Sequence, residues 1–226
     1  GFSVLPKRRE DVDVAVQPDG RILVCSGSDI FRFEPSGLPD LDFGSDGHVL
    51  TPIYLVSSVI VQPDGKIIGI GKYKTATSLI CAALVARYNT NGTIDNTYGT
   101  GGTIIKTFNG VIDRFTSGVL LSNNDLLVTG YASSTETDPN AAYYLKLMKF
   151  NSSGQPVTTF GTSGVVTINP LVPASYNMTE GMAMTIQSDG KILIAGACDV
   201  VAQGAQNMGV WRLNSTGSLD NTFATN

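Results

Sequence analysis

A turn signal that returns four times constrains this chain more than any other feature. Gln17-Pro18-Asp19-Gly20 leads into Arg21-Ile22-Leu23-Val24, and the same order recurs at Gln62-Pro63-Asp64-Gly65-Lys66-Ile67-Ile68 and at Gln187-Ser188-Asp189-Gly190-Lys191-Ile192-Leu193-Ile194. Leu121-Ser122-Asn123-Asn124-Asp125-Leu126-Leu127-Val128 is a divergent fourth copy. Tight hairpin turns need positive φ, which Gly adopts freely and Asn tolerates best among the rest. Asn124, standing where the other copies have Gly, therefore keeps the hairpin reading intact.

A second motif follows each copy: Phe31-Arg32-Phe33, Ala86-Arg87-Tyr88, Met148-Lys149-Phe150 and Trp211-Arg212-Leu213, each closed by a turn ending in Gly37, Gly92, Gly154 or Gly217. Six residues beyond each of those glycines stands an aromatic: Phe43, Tyr98, Phe160 or Phe223. Short β-branched runs then begin at His48, Thr103 and Val165. Each unit thus reads as four strands, a to d, with strand a at 12–17, 56–62, 117–121 and 182–187. No long helical stripe interrupts them.

Four-stranded units repeated around an axis predict an all-β β-propeller, a single domain over 1–226. Its blades fall at about 11–51, 55–107, 115–168 and 181–226, with residues 1–6 supplying the last strand of the last blade. Residues 222–226 followed by 1–5 align with residues 97–106, and such a closure removes two open sheet edges. Half of an eight-bladed ring, closed by a second chain that exchanges end strands, satisfies the same pattern; so does a fragment of a longer array.

The pattern Q-P-D-G-K-I-x-x-x-G, then R-Y/F-N-x-x-G-x-x-D-x-x-F-G-x-x-G, resembles the bacterial delta-60 repeat, also described as a domain-of-unknown-function β-propeller. The resemblance is strongest over 62–102 and 187–223 and weakest over 121–164, which lacks the Pro-Asp-Gly turn and has Val157 in place of Asp. It implies blades of large secreted or envelope-associated bacterial proteins, hence an extracellular or cell-envelope location, and no activity or functional residues. The chain opens with Gly1, without a signal peptide, which points to a processed or excised piece.

Composition narrows the function. A net charge of −4 argues against nucleic-acid binding by phosphate neutralisation, and the longest apolar run, residues 79–86, is too short to span a bilayer. Cys25, Cys81 and Cys198 share no metal spacing and sit in apolar stretches; a disulfide between two of them stays open. The single histidine, His48, has no nucleophile elbow near it and reads as a strand residue. No cofactor is implied. Asp40, Asp42 and Asp46 form a weak calcium candidate, but Asp95 and Asp220 recur at the Asp40 position, so a turn role is favoured. The cations Arg32, Arg87, Lys149 and Arg212 pair structurally with a c–d loop Asp of the same or the next blade, on this reading.

Recognition belongs on the loops that differ between blades, b–c (72–78, 132–141, 199–207) and d–a (7–10, 108–114, 169–180), which share one end of the barrel. Arg8, Arg9, Tyr54, Tyr73, Lys74, Glu136, Asp138, Tyr143, Tyr176 and Gln206 are the candidates there. The leading expectation is a non-catalytic binding or surface-display module with a protein or glycan partner. A lectin-like variant stacks sugars on Tyr54, Tyr73 or Tyr176; the alternatives are a lyase or hydrolase at the channel mouth and a structural assembly unit. The enzyme reading needs titratable groups converging near the axis, where the sequence shows mostly aliphatic residues.

Overall fold

A computed structural model describes residues 12–74, 80–108, 110–133, 142–169, 179–199 and 206–224. These residues form fifteen strands and no helix. The first unit is an antiparallel sheet of β1 (Val12–Val16), β2 (Ile22–Ser26), β3 (Asp29–Phe33) and β4 (His48–Leu50), in chain order. The second consists of β5 (Leu55–Val61), β6 (Ile67–Lys74), β7 (Cys81–Tyr88) and β8 (Thr103–Lys106). The third consists of β9 (Ile112–Leu120), β10 (Leu126–Ser133), β11 (Tyr143–Phe150) and β12 (Val165–Ile168). The fourth shows β13 (Ala183–Ile186), β14 (Ile192–Asp199) and β15 (Gln206–Leu213). The all-β propeller expectation holds. The expected fourth strand of that last unit, residues 1–6, lies outside the described residues.

Strand a of the third unit is longer than the sequence suggested, starting at Ile112 rather than 117. A bulge at Thr116, opposite the step from Thr129 to Gly130, lets β9 stay paired with β10 across residues that read as loop. Its first residue also bridges Cys81 of β7, so the second and third sheets join at that point.

Three apolar layers lie between successive blades. Leu23, Cys25, Ile30 and Phe43 of the first meet Val59, Ile67, Leu84 and Tyr88 of the second. Ile68, Ile70, Val85 and Tyr98 meet Phe115, Leu126, Met148 and Phe150 of the third. Leu127, Leu147 and Phe160 meet Ile192, Ile194, Trp211 and Leu213 of the fourth. The second and third blades therefore each have one face turned to the blade before and one to the blade after.

A polar seam repeats beside each layer. Gly44, Gly99 and Gly161 donate their N–H to the carbonyls of Asn91, Ser153 and Thr216 in the following blade, at 3.0, 2.9 and 2.9 Å. The aromatics just before them lie over the glycines of that turn. A Cβ on Gly92 would sit 3.0 Å from Phe43, and one on Gly217 3.1 Å from Phe160.

Candidate functional site

Strand a of each blade is innermost, and the residues five before its turn (Val12, Ser57, Thr116 and Met182) face one common cavity of about 270 Å³. Arg114, Tyr131 and Glu180 complete its wall. The cavity opens at the d–a end, where the variable loops were expected to act.

The backbone that aims these groups is fixed by a glycine. Strand b of three blades carries Gly71, Gly130 and Gly196 at the same place, and a Cβ there would collide with the carbonyl oxygens of Leu55, Arg114 and Glu180. In blades two and three a bulge in strand a brings that carbonyl down onto the glycine. Arg114 and Glu180 thus occupy equivalent positions, each seven residues before its turn, and are held at the cavity by backbone contact.

Arg114 reaches across to the second blade and donates to Ser57 Oγ from Nε at 3.1 Å and from Nη2 at 2.8 Å. Thr116 Oγ1 donates to the carbonyl of Gly181, tying the third blade to the fourth. Burial pushes the Tyr131 hydroxyl above its ordinary value; Arg114 opposes the shift, and the carboxylate of Glu180 adds to it. The Tyr131 ring lies 5.6 Å from that of Tyr143, tilted by 58°. Behind the mouth, Asp113 is fully buried and accepts the Phe108 N–H at 2.6 Å. Burial raises its carboxyl, with Lys146 acting the other way.

Ser57, Arg114, Thr116, Tyr131 and Glu180 were missed by sequence reasoning, which expected aliphatic residues near the axis. Arg114 and Glu180 fell inside segments read as loops. The signal that could have found them is the last glycine of the Q-P-D-G-K-I-x-x-x-G pattern, which marks the close approach of strand a.

Of the expected binding residues, Tyr143 joins this rim. Tyr54 is exposed on the loop before β5, with Lys72 Nζ 5.8 Å from its ring centre. Tyr73 is half-buried against the first apolar layer, and Lys74 ends β6. Gln206 begins β15. Arg8, Arg9, Glu136, Asp138 and Tyr176 lie outside the described residues.

The calcium candidates are differently placed. Asp40 is buried, and its Oδ2 takes Arg32 Nε at 2.7 Å and Arg21 Nε at 2.9 Å. Asp42 donates its N–H to Asp40 Oδ1 at 3.2 Å, as a turn residue does. Asp46 sits at φ 52° in the following turn. Among the described residues no group of three or more His, Cys, Asp or Glu is arranged to hold a metal ion. His48 stacks on Phe31 at 5.6 Å. All three cysteines are buried and free, so the open question of a disulfide is answered against one.

The pairing of cations with aspartates lies within each blade: Arg87 Nε to Asp95 at 2.8 Å and Arg212 Nε to Asp220 at 2.7 Å. The residue after the turn joins them, Lys66 and Lys191 each 2.9 Å from the same carboxylates. These guanidinium groups also lie over the repeat aromatics, Arg32 over Phe43 at 4.4 Å and Arg87 over Tyr98 at 4.3 Å. A second hollow, of about 490 Å³, lies at the opposite end between the first two blades, bordered by Gln17, Arg21, Arg32, Asp64 and Thr90. Its cations are already engaged in this network.

Comparison with known proteins agrees with the repeat. None of the curated proteins matches the chain. Among solved structures, a gluconolactonase from Xanthomonas campestris is similar at 15% identity over 91% of this chain and 59% of its own, TM-score 0.44. An exo-1,5-α-L-arabinanase from a bovine ruminal metagenomic library is similar at 10% identity over 90% of this chain and 73% of its own, TM-score 0.47. A protein of unknown function from Bacteroides caccae is similar at 12% identity over 92% and 78%, TM-score 0.40. The chain spans about 60% of the length of the gluconolactonase structures. The family model described as "Domain of unknown function (DUF5122) beta-propeller" matches residues 62–98 and 187–223, the turn-to-aromatic stretches of the second and fourth units.

Proposed function

We propose that this chain is a non-catalytic binding module of a secreted or envelope-associated bacterial protein, and that it takes a small polyhydroxylated ligand, such as one sugar ring, at the d–a mouth of its channel. The observation that carries the reading is Arg114, anchored on Ser57 of the neighbouring blade at the wall of a 270 Å³ cavity. That size is at the small end of ligand pockets, which run about 300–1,000 Å³. The wall mixes a guanidinium, a carboxylate and hydroxyls from Ser57, Thr116 and Tyr131. Such a set both donates to and accepts from hydroxyl groups, while the Tyr131–Tyr143 pair offers ring faces for stacking.

Glycan-array screening followed by calorimetry tests this. Arg114→Ala and Tyr131→Ala should each weaken binding at least tenfold, and Tyr54→Ala, which is not among the lining residues, should leave it unchanged. Loss through Tyr54→Ala with none through Arg114→Ala would move recognition to the exposed loops. An enzyme reading draws on the same convergence of Arg114, Tyr131 and Glu180; turnover of a bound glycan, abolished in Glu180→Gln, would replace the binding role with it.

A further inference from the structure

The hollow of about 490 Å³ between the first two blades lies at the end away from the channel mouth, and its volume falls within the range of small-ligand sites, about 300–1,000 Å³. Its cations are committed to fixed partners. Arg32 holds Asp40 and donates from Nη1 to the Thr90 carbonyl, while Arg21 holds Asp19 at 2.6 Å and Asp40 at 2.9 Å. The carboxylates are not all so committed. Asp42 and Asp64, both exposed, border the hollow from one blade each, and among the described residues no ion pair reaches either of them. Asp64 Oδ1 accepts the Lys66 N–H at 3.1 Å, but Lys66 Nζ goes to Asp95.

Asp42 departs from the repeat. Thr97, Thr159 and Thr222 stand at its position in the other blades. Thr97 and Thr222 donate their hydroxyls to Asp95 and Asp220 at 2.6 and 2.7 Å, and accept from Nη2 of Arg87 and Arg212 at 3.3 and 3.4 Å. A carboxylate has no proton to donate, so the first blade gives up that tie and sets a negative charge at the edge of the hollow. Gln17 is an independent pointer to a ligand. It is 6% exposed, borders the same hollow, and its Oε1 has no hydrogen-bond partner. A buried acceptor left open is costly, so a donor is wanted there. Gln62 and Gln187 keep the same open acceptor; at Gln17 it borders one hollow with two uncompensated carboxylates. Pro18 and Pro63, both exposed, add apolar rings to the wall.

We infer that this hollow binds a small aliphatic amine, with its ammonium groups on Asp42, Asp64 and Gln17 Oε1 and its carbon chain against the two prolines. An ammonium carries three donors and no acceptor, which suits a site whose uncompensated charges are both negative and whose buried amide lacks a donor. None of the channel residues borders this hollow, so the inference stands apart from the sugar-binding reading.

Calorimetry with 1,4-diaminobutane tests this, with butane-1,4-diol and succinate as controls. The diamine should bind and the controls should not, and its affinity should fall as salt rises. Each variant borrows a residue that another blade already carries, which keeps the repeat intact: Asp42→Thr as at Thr97, Asp64→Asn as at Asn123, and Gln17→Leu as at Leu121. Asp42→Thr and Asp64→Asn should each weaken diamine binding at least tenfold, and Gln17→Leu at least threefold. Asp189→Asn, the same change at the equivalent turn of the fourth blade, should leave it unchanged. No binding of the diamine, equal binding of the diol, or binding that survives Asp42→Thr combined with Asp64→Asn would overturn the inference. An equal loss in Asp189→Asn would also overturn it, by reducing the effect to net charge.

Discussion

Gly190 and Gly217 both have positive φ, 82° and 93°, yet they do different work. A Cβ on Gly190 meets nothing within 4 Å, whereas on Gly217 it would lie 2.8 Å from Val166 of the preceding blade. Asn124 already occupies the turn position of Gly190 at φ 63°. Gly190→Asn should therefore leave the urea midpoint nearly unchanged, while Gly217→Asn should cost about 1–3 kcal/mol through overpacking. The cysteines give a second expectation at this scale. Burial pushes the Cys25 thiol up to about 12, and Cys81 and Cys198 are also buried. Iodoacetamide should label none of them in the native protein and all of them in denaturant; rapid native labelling would contradict the packing.

Within one blade, the Arg–Asp pair joins strands b and c to the loop before strand d. The Asp95 carboxylate is buried, which alone would raise it, but hydrogen bonds from Thr97 and Lys66 and the charge of Arg87 hold it well below the usual carboxylate range. Asp220 is lowered in the same way, first by the Thr222 hydroxyl and then by Lys191. Depressed values mean that this stability is fully present above the unfolded-state value of about 3.9 and is lost as pH falls below it. Denaturation midpoints should drop between about pH 4 and 2, and Asp95→Asn should flatten that drop. Arg87→Ala leaves Asp95 held by Lys66 and Thr97 and removes the bond to the Ser152 carbonyl of the next blade, and should cost about 1.5–3 kcal/mol.

The same element shows what the sequence makes legible. Turn, strand c, aromatic and paired Asp recur at fixed spacing and can be read directly. In the third blade the pair is inverted: Asp125 occupies the site of Lys66 and meets Lys149 at 2.9 Å, while Val157 fills the aspartate site. Sequence reasoning registered Val157 as a loss, because its partner lies on another strand. Arg114 and Glu180 were hidden for a related reason. A bulge breaks the two-residue alternation that marks a strand, so its far end reads as loop.

For the whole molecule, the central blades carry an apolar layer on both faces and the outer ones on a single face. Amide exchange should be slowest in β6, β7, β10 and β11 and fastest in β1 and β13. Uniform protection across all strands would contradict the exposure of the outer blades' free faces.

Because a glycine on strand b grips only the main chain of the residue it faces, that contact sets no requirement on the identity of the side chain there. Leucine, arginine and glutamate all occupy that post in this chain. Selection can therefore rewrite what lines the pore entrance one blade at a time while the glycine that positions each post stays in place.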